Sequence, residues 1–201
     1  MWMTERMRKT MRQIRTLDIR AAPDAERQYI VEGYATTFDA PYVLWENGDG
    51  VEYKEVISRA ALEGADMSDV LMLYNHDGRV LARTSNGSLS LAPDEHGLRI
   101  RADLSLTQAA RDMYADISAG LVTQMSWAFD VKASEYDRET HTDKILRIGK
   151  VYDVSAVAYP ANDQTEISAR ARAQSMCDME RECAADAKRR RAALLQIETM
   201  T

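Results

Sequence analysis

The sequence predicts a mainly β domain of the α+β class, an antiparallel β-barrel or closed sheet flanked by a few helices. Three observations carry this. Six or more short runs alternate in polarity with a period of two, turn signals rather than long helices separate most of them, and one strongly helical run follows at the C-terminal end. With 201 residues, 45% hydrophobic and 29% charged, the chain is long enough to bury one core.

The elements follow in order. In RQYIVEGYATTF, Tyr29, Val31, Gly33 and Ala35 alternate with Ile30, Glu32 and Tyr34, which reads as a strand. The turn-rich APYVLWENGDG leads into VEYKEVI, a second strand, and then SRAALEGA, a short helix with Ser58 as its N-cap. From Val70 to His76 the chain alternates again, with Val70, Met72, Tyr74 and His76 on one face, and Asp77-Gly78 is the turn signal after it. SLSLAPDEHGLRIRADLSL is a hairpin around PDEHG, with Leu98, Ile100, Ala102 and Leu104 inward. TQAARDMYADISAG has helical spacing, capped by Thr107 and stopped at Gly120. In the strand LVTQMSWAF, Met125, Trp127, Phe129 and Val131 share one face and Ser126, Ala128 and Asp130 the other. A polar loop, SEYDRETHTDK, joins it to ILRIGKVYDVSAVAY, which ends at Pro160. From Ile167 the Ala-, Arg- and Glu-rich run reads as a helix with only a thin apolar stripe.

Charge divides the chain in three. Residues 1–20 form a basic arm with six Lys/Arg against two Asp/Glu, residues 21–168 the folded body, and residues 169–201 a charged helical segment. The stretch 21–165 holds thirteen basic residues against twenty-four acidic ones, a field that repels phosphates and disfavours nucleic-acid binding by the core. No stretch approaches the ~20 apolar residues of a membrane helix, so no membrane partner is expected. Cys177 and Cys183 match neither a disulfide framework nor a zinc spacing, and reduced thiols are expected.

Three polar residues stand out because each sits within or at the end of an apolar strand-like run: His76, Ser126 and Asp153. Acyl transfer needs a hydroxyl that passes its proton to an imidazole held by a carboxylate, and these are those three groups. His96 and His141 lie among charged residues in turns, where a solvated ring is expected. Asp153, inside VYDVSAVAY, would cost several kcal/mol to bury without a partner. His76 would satisfy it, and so would an arginine such as Arg147 or Arg99. Ser155, on the same face, can donate to the same carboxylate. No GxSxG elbow is present, which argues against an α/β-hydrolase. The three histidines are far apart and show no HExxH spacing, so neither a metal nor a cofactor is expected.

VEGYATTF, then E-x-I before a small helix, then LYNHD, GL-x-I-x-A-x-L, T-x-x-A-x-x-x-Y-x-x-I-x-x-G, MSWAF and DVSAVAYPAN follow in an order that resembles the prohead proteases of tailed bacteriophages, over roughly residues 28–168. The resemblance implies a serine endopeptidase acting inside the immature capsid in the host cytoplasm. Its substrates would be the scaffold or the scaffold-like arm of the major capsid protein, and the protease itself, with self-association expected. It also implies a fold similar to that of herpesvirus assemblins. The family's histidine in the NHD motif falls on His76 and its nucleophile in MS-x-x-F on Ser126. The acid of its EVS motif falls on Asp153, one methylene shorter here. Trp127 stands where the family has a smaller aliphatic residue, so Trp127 and Ala128 are expected to wall the substrate pocket. The alternative is a capsid scaffold or assembly protein that kept the fold and lost catalysis.

Overall fold

β10 (Thr142–Val157) and β9 (Gln124–Asp137), sixteen and fourteen residues long, form the antiparallel ribbon on which the rest of the sheet is assembled. The structure is a computed structural model that describes residues 13–21, 29–47, 49–158, 178 and 180–191. In chain order the remaining strands are β1 (Gln13–Ala21), β2 (Ile30–Thr37), β3 (Tyr42–Glu46), β4 (Glu52–Ile57), β5 (Leu71–Tyr74), β6 (Asp77–Arg83), β7 (Leu89–Pro93) and β8 (Gly97–Asp103). One α-helix, α1 (Gln108–Ser118), precedes β9, and residues 180–191 are helical.

The strands run β3-β4-β10-β9-β1-β2-β8-β7, and β5 pairs with β10 and β6. This corrects the expected closed antiparallel barrel. The described path is open, because closure would need a ladder between its two ends. The sheet is also mixed, because β10 takes two parallel partners along one edge, β4 beside Thr142–Ile145 and β5 beside Asp153–Ala156. Residues 13–20, assigned above to the basic arm, form with Ala21 a strand between β9 and β2.

The largest apolar cluster draws on most of the strands. Leu98, Ile100, Ala102 and Leu104 are fully buried, as the hairpin pattern predicts, and join Val31, Ala35, Met125, Trp127 and Phe129 in one cluster. Helix α1 adds Ala110, Met113 and Ile117 to it. Its N-cap Thr107 accepts a hydrogen bond from Ala110 N at 3.1 Å, and Gly120 follows it in the left-handed region, where a side chain would strain. The short helix after β4 is a single 3-10 turn, Arg59–Leu62. Ser58 occupies its N-cap position without a side-chain hydrogen bond.

Candidate active site

On β9 the alternation of QMSWAF divides the strand between core and site. Met125, Trp127 and Phe129 enter the core cluster, and the Trp127 and Phe129 rings lie 4.2 Å apart. Ser126 and Ala128 point to the opposite side and are buried there. Trp127 therefore cannot wall a pocket that opens beside Ser126. A bulky indole on the core parity of this strand is taken up by the core, which corrects the expectation drawn for it.

β10 brings Asp153 to the same side as Ser126 through a bulge. Val151 is in register with Phe129, and Asp153 with Ala128, so two steps on β10 oppose one step on β9 and Tyr152 is the extra residue. With Tyr152 paired in an unbulged ladder, Asp153 would share the core parity of Val151. With the bulge, Asp153 and Ser155 face the site while Val154 and Ala156 return to the core. Ser155 then stands in register with Ser126. In an antiparallel pair, residues so opposed have Cβ atoms about 4.5–5.5 Å apart.

β5 brings the histidine. Tyr74 pairs with Asp77, leaving Asn75 and His76 as the two central residues of the β5–β6 hairpin turn, with φ of 49° and 61°. A two-residue turn with both φ positive matches the twist of paired strands, and Asn is at home in it. His76 is thus a turn residue, not the last residue of a strand, and the turn precedes Gly78. Asn75 N donates to Ala156 O at 3.0 Å, which ties the turn to β10. From there His76 Nδ1 lies 2.6 Å from Asp153 Oδ1.

The electrostatics of this pair follow from burial. Asp153 is 0% exposed and the His76 side chain 9%. A carboxylate so buried requires donors, and Oδ1 receives two, from His76 Nδ1 and from Ser155 Oγ at 2.8 Å. The arginine alternative fails for Arg99, which pairs with Glu32 at 2.9 Å. Because Nδ1 donates to Asp153, the basic lone pair of His76 resides on Nε2. Ser126 Oγ is buried and has no hydrogen-bond partner among the described residues. The arrangement holds a hydroxyl in need of an acceptor in the same sheet as an imidazole oriented by a buried carboxylate, the components of nucleophilic acyl transfer.

The other two histidines are placed differently. His96 packs edge-on against Tyr34 in the β7–β8 turn, with ring centroids 4.6 Å apart. His141 lies in the β9–β10 turn but is not simply solvated. Its Nδ1 is 3.0 Å from Glu180 Oε1, to which Tyr136 OH donates at 2.7 Å. Burial, and then the Glu180 carboxylate, push the Tyr136 phenol above its usual range. No group of three or more His, Cys, Asp and Glu among the described residues is arranged to hold a metal. Cys183 is a free thiol, and Cys177 lies outside the described residues. No described helix is long and apolar enough to cross a membrane.

Comparison with known proteins gives a family and a relative. A family model described as caudovirus prohead serine protease matches residues 15–181, from β1 into the C-terminal helical segment. The prohead protease of Enterobacteria phage HK97 is 31% identical over 148 residues, which is 71% of this chain and 60% of that protein. The chain thus spans less than two thirds of the length of this relative. No solved structure matches it.

Proposed function

Because the chain belongs to the caudovirus prohead serine protease family, we propose that it is a serine endopeptidase of phage capsid maturation, with Ser126 as nucleophile, His76 as general base and then acid, and Asp153 as the group that orients the imidazole. The observation that supports this most is the buried hydrogen-bond chain from His76 through Asp153 to Ser155, which ends in register with Ser126.

In this mechanism His76 Nε2 takes the Ser126 proton as Oγ attacks a peptide carbonyl. Asp153 stabilises the imidazolium so formed, and the same proton is passed to the leaving amine. Water then repeats the sequence against the acyl-enzyme. Ser155 keeps the Asp153 carboxylate in its rotamer. Ala128, in register with Asp153 and lacking bulk, forms part of the pocket floor and leaves room for the acyl group. Ser126 accepts no substrate in its buried position, so engagement requires the face above β9 and β10 to open.

The substrates in this reading are the scaffold, or the scaffold-like arm of the major capsid protein, and the protease itself, cleaved inside the prohead in the host cytoplasm. Self-association would bring neighbouring copies within reach. A second reading, an assembly protein without catalysis, draws on one observation, the absence of a hydrogen bond to Ser126 Oγ among the described residues. Apo sites often tighten only around substrate, which favours the enzyme. Co-expression with the phage's own major capsid protein separates the two. Clipped capsid protein with the wild type and intact protein with Ser126→Ala is the expected result. Intact protein in both, with normal shells assembled, would support the scaffold reading.

A further inference from the structure

Gln124 opens β9 two residues before Ser126, and the register carries it to the same side of the sheet. Gln124 opposes Val157, Ser126 opposes Ser155 and Ala128 opposes Asp153. Its carboxamide oxygen is buried and has no hydrogen-bond partner among the described residues, and Ser126 Oγ is in the same state. Of its two ladder neighbours, Val157 on β10 is buried and apolar, and Asp18 on β1 is an acid that, when ionised, has no proton to give the carboxamide oxygen. A buried acceptor left unpaired costs about 1–3 kcal/mol, so two of them spaced two residues apart on one face call for groups that arrive from outside the strand.

We propose that Gln124 is a substrate-positioning residue whose carboxamide pairs with a backbone peptide group of the bound polypeptide, beside the bond that Ser126 attacks. This rests on the reading of Ser126 as the nucleophile. Residues two apart on a strand lie about 7 Å apart, roughly twice the strand rise per residue, which is too far for the amide to replace a group on the attacked carbon. It is the separation of a peptide unit two residues along an extended substrate. A primary amide presents one acceptor and two donors, so it can accept from a backbone N–H and donate to a backbone carbonyl together. Such pairing reads the main chain and is indifferent to side chains. It supplies orientation at the reacting centre, which is where remote binding contributes to rate.

The test uses one phosphonate ester warhead in two forms, bare and carrying an acetyl-trialanyl peptide. Labelling rates by intact mass are measured on the wild-type chain, on Gln124→Met, which keeps length and removes both polar ends, and on Gln124→Ala. In the wild type the peptide should accelerate labelling. Both variants should lose about tenfold of that acceleration, the equivalent of about 1.4 kcal/mol, while the bare warhead reacts within about twofold of wild type. A parallel fall with both probes would mean that Gln124 supports the fold or Ser126 itself and would overturn the proposal. So would an unchanged ratio, or a wild type that does not distinguish the probes. A wild type labelled by neither probe would remove the nucleophile assignment and this inference with it, whereas a labelled wild type with an unmoved ratio removes the role of Gln124 alone.

Discussion

The β9–β10 ribbon carries the same chemical pair near both of its ends. At one, His76 meets Asp153 at 2.6 Å with side chains 9% and 0% exposed. At the other, His141 meets Glu180 at 3.0 Å with side chains 30% and 21% exposed. The difference lies in what surrounds each pair. Asp153 is buried in the sheet, accepts from Ser155 and His76, and shares its face with Ser126. Glu180 belongs to the helical residues 180–191 and is shared between His141 and the Tyr136 phenol. A histidine and a carboxylate in contact do not make a catalytic pair. What sets the Asp153 pair apart is its burial and the serine that shares its face, the features on which the proposed catalytic role rests.

The contrast can be broken from its catalytic side first. Ser126→Ala or His76→Ala should each reduce peptide hydrolysis on the order of a millionfold, measured by cleavage of the capsid protein, because residues acting as one unit fail together. Asp153→Asn should cost less, about ten-thousandfold, since the amide still fills the space but no longer favours the productive tautomer. Deleting Tyr152 leaves Val151 opposite Phe129 and Asp153 opposite Ala128 in ordinary alternation, so turnover should fall far less than in Asp153→Asn, and a loss as large would mean that the bulge itself shapes the site. Ser155→Ala removes one of two donors to Asp153 Oδ1 and should lower turnover about tenfold with little change in substrate affinity.

Smallest of all is the expected effect at the far pair. His141→Ala or Glu180→Ala should leave labelling of Ser126 within about twofold. Either should lower stability in urea by about 1 kcal/mol or less, in keeping with a partly exposed ion pair. A hundredfold loss of activity from either would mean that the two ends of the ribbon are coupled.

The parts of the site that depend on alternation alone were legible in the sequence. The opposite faces of Ser126 and Trp127, the shared face of Asp153 and Ser155, and the need of Asp153 for a partner all follow from a period of two and the cost of a buried charge. The bulge at Tyr152 was not, because VYDVSAVAY reads as uninterrupted alternation and the extra residue shows only in the pairing with β9. The turn at Asn75-His76 was hidden by the stronger turn signal of Asp77-Gly78. β1, β3 and β6 were missed for a related reason. The first was masked by the charge of the segment around it, and the other two lie in stretches rich in Asn, Asp and Gly, whose strand character comes from the neighbours they pair with. The closed barrel was an inference from strand count, and strand count does not fix whether the two ends of a sheet meet.

The central claim is that Ser126, whose buried hydroxyl has no partner among the described residues while that of Ser155 is bound to Asp153, is the nucleophile, and His76 its base. It is tested most directly by the rate at which a fluorophosphonate adds to wild type, Ser126→Ala, His76→Ala and His141→Ala, read as intact mass and mapped to the modified residue. The account predicts one adduct, on Ser126, at comparable rates in wild type and His141→Ala, and none in the other two. An adduct that persists in Ser126→Ala, or that is lost in His141→Ala while surviving in His76→Ala, would contradict it.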